Sequence, residues 1–213
     1  MLIRPPHGKK VLWQEMLRHE LMSALEDRPV VIVPVGSVEQ HGPHCPQDVD
    51  ISIPYHLAIR AAEAIDDFPV IVAPPVTYGF THYNMGEVGT LTLKLELFIE
   101  LLCDISRSLW ANGFKRIILV NGHGSNHPLV EQVGRQTNLQ TDALCLTCSW
   151  WQLIADYWNE IRDSGPGGSA HACELETSLY LHMDEPAVLM ERLQAALPNY
   201  VTDIPGGEKW QYV

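Results

Sequence analysis

The sequence predicts a three-layer α/β/α domain built on a mostly parallel sheet. Short, nearly all-apolar runs alternate with longer segments of helical periodicity, and strands of that kind are buried on both faces. No internal repeat, low-complexity linker or domain boundary interrupts the pattern, so a single domain over residues 1–213 is expected.

Taken in order, "VLWQEMLRHELMSALED" (11–27) reads as an amphipathic helix, with Leu12, Met16, Leu21 and Leu25 at helical spacing. "PVVIVPVG" (29–36) is the first buried strand, "DISIPYHLAIRAAEAI" (50–65) a helix, and "FPVIVAPPV" (68–76) the second strand. "LKLELFIELLCDISRSLWANG" (93–113) is a long helix closed by Gly113 as a C-cap. "KRIILVNG" (115–122) is the third strand, "HPLVEQVGRQTN" (127–138) a helix and "ALCLTCSW" (143–150) the fourth strand. "WQLIADYWNEIR" (151–162) and "CELETSLYLHM" (173–183) are helical, and "DSGPGGSA" (163–170) is a mobile loop by composition.

Composition sets limits on partners. Of 213 residues, 46% are apolar and 19% charged, enough for a substantial core, and the formal charge is −12. That field repels a phosphate backbone, and no basic cluster longer than "GKK" relieves it, so neither nucleic acid nor an anionic membrane is an expected partner. The N-terminal stretch lacks a signal-type apolar core, and no run approaches a membrane span. Five scattered cysteines do not resemble a disulfide framework, and the cytoplasm is the expected compartment.

Ligand-type side chains gather where strands end. "VGSVEQHGPHCPQDVD" (35–50) leaves the first strand carrying Glu39, His41, His44, Asp48 and Asp50. Glu39 and His41 are two apart and point the same way in extended chain, while the turn-rich "GPHCPQD" lets Asp50 fold back beside them. Two carboxylates and an imidazole suit Zn²⁺, Mn²⁺ or Fe²⁺ better than the oxygen-seeking Ca²⁺ or Mg²⁺. A polar loop with acidic residues by chance is the competing reading. "NGHGSNHP" (121–128) follows the third strand and offers His123 and His127 as further ligand-type residues; it fits neither a dinucleotide fingerprint nor a nucleophile elbow around Ser125. Ligands in open α/β sheets bind outside the carboxyl ends of the strands, where both loops lie.

In "SAHACELETSLYL" (169–181), a helix would place His171 and Glu174 on one face, with Glu176 pointing away. That favours Glu174 as a metal ligand and leaves Glu176 to bond an imidazole from outside. The Cys-x-x-Cys of "CLTC" (145–148) lies inside an apolar strand with no second pair and reads as structural thiols. Of Trp150 and Trp151, alternation sends one into the core and the other towards the strand-end pocket. "YGFTHYNMGEVGT" (78–90) reads equally as a substrate loop or a plain surface loop.

"GSVEQHGPHCPQDVD", "NGHGSN" and "HACELETS", in this order, resemble the creatininase (creatinine amidohydrolase) family over roughly residues 30 to 185. The resemblance implies an α/β/α fold, a centre of two divalent ions (zinc and/or manganese, with iron possible), and a homo-oligomer, commonly a hexamer. It further implies hydrolysis of a C–N bond in a small cyclic amide or formamide, or ring opening of an oxidised inositol. By motif position, Glu39, His41, Asp50 and His123 would bind metal with Asp50 bridging, His171 would shuttle protons, and Trp151 would stack on substrate. Members acting on creatinine carry a glutamate ligand where Ser125 stands, and Glu174 fills an apolar family position, so Glu174 is expected as its replacement. Ser125 would then face the substrate, in a pocket less suited to creatinine than to a hydroxyl-rich or formylated ring. Cys173 stands where glycine is usual. The chain stops at "GGEKWQYV", where most members continue into a further helix, so that helix is expected to be missing.

The expected reaction is attack by a water held between two ions, with His171 moving the proton. A non-catalytic metal-binding sensor on the same scaffold is the rival from another class, and it would not need His171.

Overall fold

The structure is a computed structural model, described over residues 5–165 and 169–196. Four parallel strands, β1 (Val30–Val35), β2 (Val70–Val72), β3 (Arg116–Asn121) and β4 (Leu144–Ser149), form one sheet in the order β2-β1-β3-β4. Among the described residues six α-helices accompany them: α1 (Arg18–Glu26), α2 (Val49–Ala64), α3 (Leu95–Ala111), α4 (His127–Gln140), α5 (Ala155–Ile161) and α6 (Glu174–Asp184).

The apolar runs are strands because both of their faces are covered. Ile32, Val70, Val72 and Val120 join one core with Ile53, Ile59, Trp158 and Tyr180 from α2, α5 and α6. Val31, Val33, Ile117 and Leu119 join a second core with Phe98, Leu102, Leu109, Val130 and Val133 from α3 and α4. This is the expected three-layer arrangement. In α3 the buried residues Phe98, Leu102, Ser106 and Leu109 follow helical spacing, and Gly113, at φ +96°, ends the helix. There the Gly113 N–H bonds the Trp110 carbonyl and the Phe114 N–H bonds the Leu109 carbonyl, a Schellman closure.

The first helix departs from the sequence reading. Residues 11–17 are not α-helical: a short 3-10 turn occupies Trp13–Glu15, and α1 begins only at Arg18. Val11 and Leu12 instead extend the sheet beside β2, with the Val72 N–H bonded to the Val11 carbonyl at 2.8 Å and Leu12 fully buried. Strand pairing and burial outweigh the helical spacing there. The glycine-rich 166–168 and the C-terminal "GGEKWQYV" lie outside the described residues.

Pairing in register sets Val35 level with Asn121, and Asn121 level with Ser149, so three strand ends open onto one edge. The chain turns outward from β1 to β2 and then returns to β3 on the other side of β1. The gap between β1 and β3 is therefore a topological switch point. The start of α2 fills it. A Cβ on Gly36 would meet the Asp50 carbonyl oxygen at 2.7 Å, and one on Gly122 would meet that oxygen at 2.0 Å. Pro54, which has no N–H for the same carbonyl, packs against Gly122 as well.

These contacts predict that Gly122→Ala destabilises the metal-free chain by about 2–3 kcal/mol in urea unfolding, the upper range of overpacking. Gly124→Ala, where a Cβ meets nothing within 4 Å, is expected to stay within about 0.5 kcal/mol of the parent.

Candidate metal centre

Three elements deliver the side chains. The segment after β1 places Glu39 and His41, the first turn of α2 brings Asp50, and the turn after β3 supplies His123. All four are buried, none more than 6% exposed. Their donor atoms form two triads: Glu39, Asp50 and His123 in one, His41, Asp50 and Glu176 in the other. Asp50 is common to both and divides its oxygens between them. Oδ1 lies 3.1 Å from His41 Nε2, and Oδ2 lies 3.0 Å from His123 Nδ1.

Local bonds fix the imidazoles. His41 Nδ1 donates to the Glu39 carbonyl at 3.1 Å, which turns Nε2 towards Asp50 and Glu176. Asn121 clamps the peptide of His123, its Oδ1 accepting the His123 N–H at 3.1 Å and its Nδ2 donating to the His123 carbonyl at 2.7 Å. The Asn121 amide also donates to Ser149 Oγ, which bonds His127 Nδ1 at 2.8 Å. That string borders a cavity of about 250 Å³ beside the ends of β3 and β4, which holds no member of either triad.

Electrostatics shows what this arrangement lacks. Two like charges 4 Å apart cost about 4 kcal/mol at an effective dielectric constant of 20, and three carboxylates converge here. Burial alone would raise Glu39, but hydrogen bonds from His123 and His171 hold it well below the usual carboxylate range. Burial alone would lower His123, yet Asp50 and Glu39 outweigh it and push the imidazole up to about 10. His41 is raised well above its ordinary value against its burial, by Asp50 and then Glu176. Without an ion, the carboxylates thus recruit protons onto the imidazoles. His41 Nε2, Asp50 Oδ2 and His123 Nε2 are nevertheless buried without a hydrogen-bond partner, although ion-pair distances are short. Buried donor atoms that crowd together with several left unpartnered fit a set of cation ligands, and the mixed nitrogen and oxygen set suits zinc or manganese.

His171 stands at the edge of the group, its side chain 28% exposed. Nδ1 is 3.1 Å from Glu39 Oε1, and the ring tilts over His41 with centroids 4.5 Å apart. The Gly42 N–H bonds Gln40 Oε1 at 2.9 Å, so the Gln40 amide nitrogen is what meets His171 Nε2 at 3.0 Å. That nitrogen must accept, which leaves the His171 proton on Nδ1, facing Glu39. Glu39, His41 and His171 also form a third possible ligand group.

Glu174 requires a correction. It belongs to none of these groups; its oxygens accept the N–H groups of Asp163 and Ser164 at 2.9 and 2.7 Å. Glu176, which the sequence reading leaves outside the metal shell, is the carboxylate grouped with His41 and Asp50. The cause is a helix boundary. α6 starts at Glu174, so His171 lies before the helix, and Ala172 is in the left-handed region at φ +51°. Helical spacing from His171 therefore does not apply. Glu176 is third in the helix and reaches back to the Cys173 N–H through Oε2, while Oε1 lies 3.9 Å from His41 Nε2. The Cys-x-x-Glu spacing, a capping-box variant, was the signal available for this. Cys173 itself has ordinary extended backbone at φ −87°.

The remaining expected residues are placed as follows. Ser125 is half-buried in the 3-10 turn Gly124–Asn126, outside the three groups. Trp150 is in the core and Trp151 is half-buried, edge-on to it with centroids 5.7 Å apart. His44 bonds Thr177 Oγ1 at 2.9 Å, and Asp48 accepts bonds from Ser52 and Tyr180, both at 2.7 Å. Sequence reasoning missed Asn121, Thr81 and Asn84; the last two donate to Glu39.

The chain is similar to known proteins over most of its length. The sequence profile of the family described as Creatininase: Creatinine amidohydrolase matches residues 14–213. The chain is 31% identical over 172 residues to the 3-dehydro-scyllo-inosose hydrolase of Thermotoga maritima, covering 79% of this chain and 54% of that protein. It is 36% identical over 171 residues to the mycofactocin precursor peptide peptidase of Mycolicibacterium smegmatis, covering 78% of this chain and 62% of that protein. The chain thus spans between half and two thirds of the length of these curated relatives. A solved structure of creatinine amidohydrolase (creatininase) superposes with a TM-score of 0.79 at 26% identity, covering 94% of this chain and 85% of that one. Another, designated creatininase Mn, gives a TM-score of 0.77 at 26% identity, with the same coverage. The chain belongs to the creatininase family.

Proposed function

We propose that the chain forms the core of a dinuclear metal-dependent hydrolase that cleaves a C–N bond of a small cyclic amide or formamide. The observation that carries this reading is Asp50, whose two oxygens serve two separate ligand triads. Glu39, Asp50 and His123 would hold one ion, and His41, Asp50 and Glu176 the other. Zinc and manganese both suit these donors, iron is compatible with them, and one related structure is designated by its manganese. Two divalent ions would supply a water of lowered pKa and a Lewis acid for the substrate carbonyl.

The protein's own groups do the rest. His171 is the most open of the three imidazoles at the centre, with one nitrogen on Glu39 and the other on Gln40. A turn of Gln40 frees Nε2 to take a proton from the nucleophile and pass it to the leaving nitrogen. Trp151 offers a flat apolar wall and Ser125 a hydroxyl for a hydroxyl-rich or formylated ring, rather than for creatinine. Hydrolytic ring opening of an oxidised inositol is a second reading, supported by the Thermotoga maritima relative. A sensor would have no use for a proton carrier beside its ligands. Among the described residues no helix is long and apolar enough to cross a membrane, and all five cysteines are free, which supports a cytoplasmic enzyme. Exposed Leu144 and Leu146 on the edge strand support the homo-oligomer, hexameric by family resemblance.

A screen of formamides, cyclic amides and dehydro-inositols with the Zn²⁺- and Mn²⁺-loaded chain, with creatinine for comparison, tests the reaction. Turnover of none of them would refute it. Within that assay, His171→Ala is expected to keep both ions and lose about 10²–10⁴-fold in rate. By elemental analysis, Glu176→Ala should lose about one ion per chain and Glu174→Ala none; the reverse result would restore Glu174 as the ligand.

Metal uptake should depend on pH in a fixed direction. The folded-state values of His123 and His41 are raised, so both carry protons in the ion-free chain at neutral pH. An ion must displace them, so proton release on zinc binding and affinity rising from about pH 6 to 8 are expected in titration calorimetry. Ion-free stability runs in the opposite direction. The contribution of His123 is fully present below about pH 6.5, the ordinary imidazole value. It is lost as the pH rises through about 10.

A further inference from the structure

Residues 78–93 lie across the strand end that carries Glu39. The Leu91 N–H bonds the Val38 carbonyl at 2.9 Å, the Gln40 N–H bonds Thr90 Oγ1 at 3.3 Å, and the Phe80 N–H bonds Asn126 Oδ1 at 2.9 Å. Within this segment Thr81 is fully buried, and its own N–H is held by Thr92 Oγ1 at 2.9 Å. The side chains of Thr81 and Asn84 turn inward onto a single atom. Thr81 Oγ1 donates to Glu39 Oε2, and Asn84 Nδ2 donates to the same oxygen at 3.0 Å. The other oxygen, Oε1, is the one that faces the imidazoles, 3.2 Å from His123 Nδ1 and 3.1 Å from His171 Nδ1. The two halves of one buried carboxylate are thus assigned different work.

We propose that Thr81 and Asn84 are positioning residues that hold Glu39 as a one-oxygen ligand, presenting Oε1 to the ion and withholding Oε2. A carboxylate left free at both oxygens can swing or chelate through both, and chelation uses a coordination position that a water or substrate would otherwise take. Two donors on Oε2 remove that choice by occupying its lone pairs and fixing the side-chain torsion. The role is that of an outer partner orienting a ligand, and such partners are commonly worth 10–100-fold in metal affinity. Here it would also make the segment 78–93 part of the centre, a role that neither reading of "YGFTHYNMGEVGT" gave it. The inference rests on the metal reading above.

The test uses the full chain with Zn²⁺ alone in competition with a chromophoric chelator, and with Co²⁺ as an optical probe. Thr81→Val and Asn84→Ala are each expected to weaken the first or second zinc equivalent by about 10–100-fold. Thr81→Ser, which keeps the hydroxyl, should restore it to within about twofold. The Co²⁺ visible bands of Thr81→Val and Asn84→Ala should change in intensity as Glu39 gains its second oxygen as a donor. The metal-free unfolding midpoint of Asn84→Ala, a partly exposed site, should stay within about 2 °C of the parent. Parental zinc affinity in both variants would overturn the proposal. So would a lowered metal-free midpoint with an unchanged Co²⁺ spectrum, which marks a merely structural tie. A parent chain that binds no zinc would overturn the metal reading itself, and that is seen before any variant is compared.

Discussion

The close approach of the Asp50 backbone to Gly36 and Gly122 is the contact on which the rest of the centre depends. Both glycines stand one residue beyond the ends of neighbouring strands, and a side chain on either would collide with the first turn of α2. With hydrogen in those places the helix seats between the strand ends, and the Asp50 carboxylate lies between the residues that follow β1 and the residue that follows β3. The same seating puts α2 against the core through Ile53, Tyr55 and Ile59. Packing that stabilises the domain is therefore also what aligns the two triads. Among the described residues, Asp50 is the one member common to both triads.

Charge explains why such a cluster tolerates burial. Three carboxylates among three imidazoles form a set that is costly to bury unless positive charge enters it. In the ion-free chain protons on His41 and His123 supply that charge, at the cost of leaving several buried polar atoms without hydrogen bonds. Divalent ions would supply it with better-matched partners. The surrounding bonds prepare for this exchange: the Glu39 carbonyl sets the tautomer of His41, Asn121 clamps the His123 peptide, and Gln40 sets the tautomer of His171. Each of these restrains a donor atom from the side away from the shared centre.

Much of this was readable beforehand, for identifiable reasons. β1 and β3 announce themselves because strands covered on both faces need no polar alternation, and the residues after them announce a site because they leave a sheet edge at once with Glu39, His41 and His123. Leu12 misled because one apolar residue at helical spacing is equally at home against a sheet edge, and only the position of β2 decides. The choice between Glu174 and Glu176 turned on where α6 begins, and boundaries depend on caps and on backbone such as the left-handed Ala172, which spacing does not reveal. Thr81 and Asn84 were out of reach for another reason. They meet Glu39 across 42 and 45 residues of chain, a contact only the folded topology creates.

The central claim is that Asp50 joins two metal sites, and anomalous diffraction tests it most directly. Crystals of the full chain loaded with zinc, measured on both sides of the zinc absorption edge, should give two anomalous peaks per chain. The account predicts one peak between Asp50, Glu39 and His123 and the other between Asp50, His41 and Glu176, about 3.5–4 Å apart as in other two-metal sites. A single peak, or two peaks of which one has no Asp50 oxygen beside it, would contradict it.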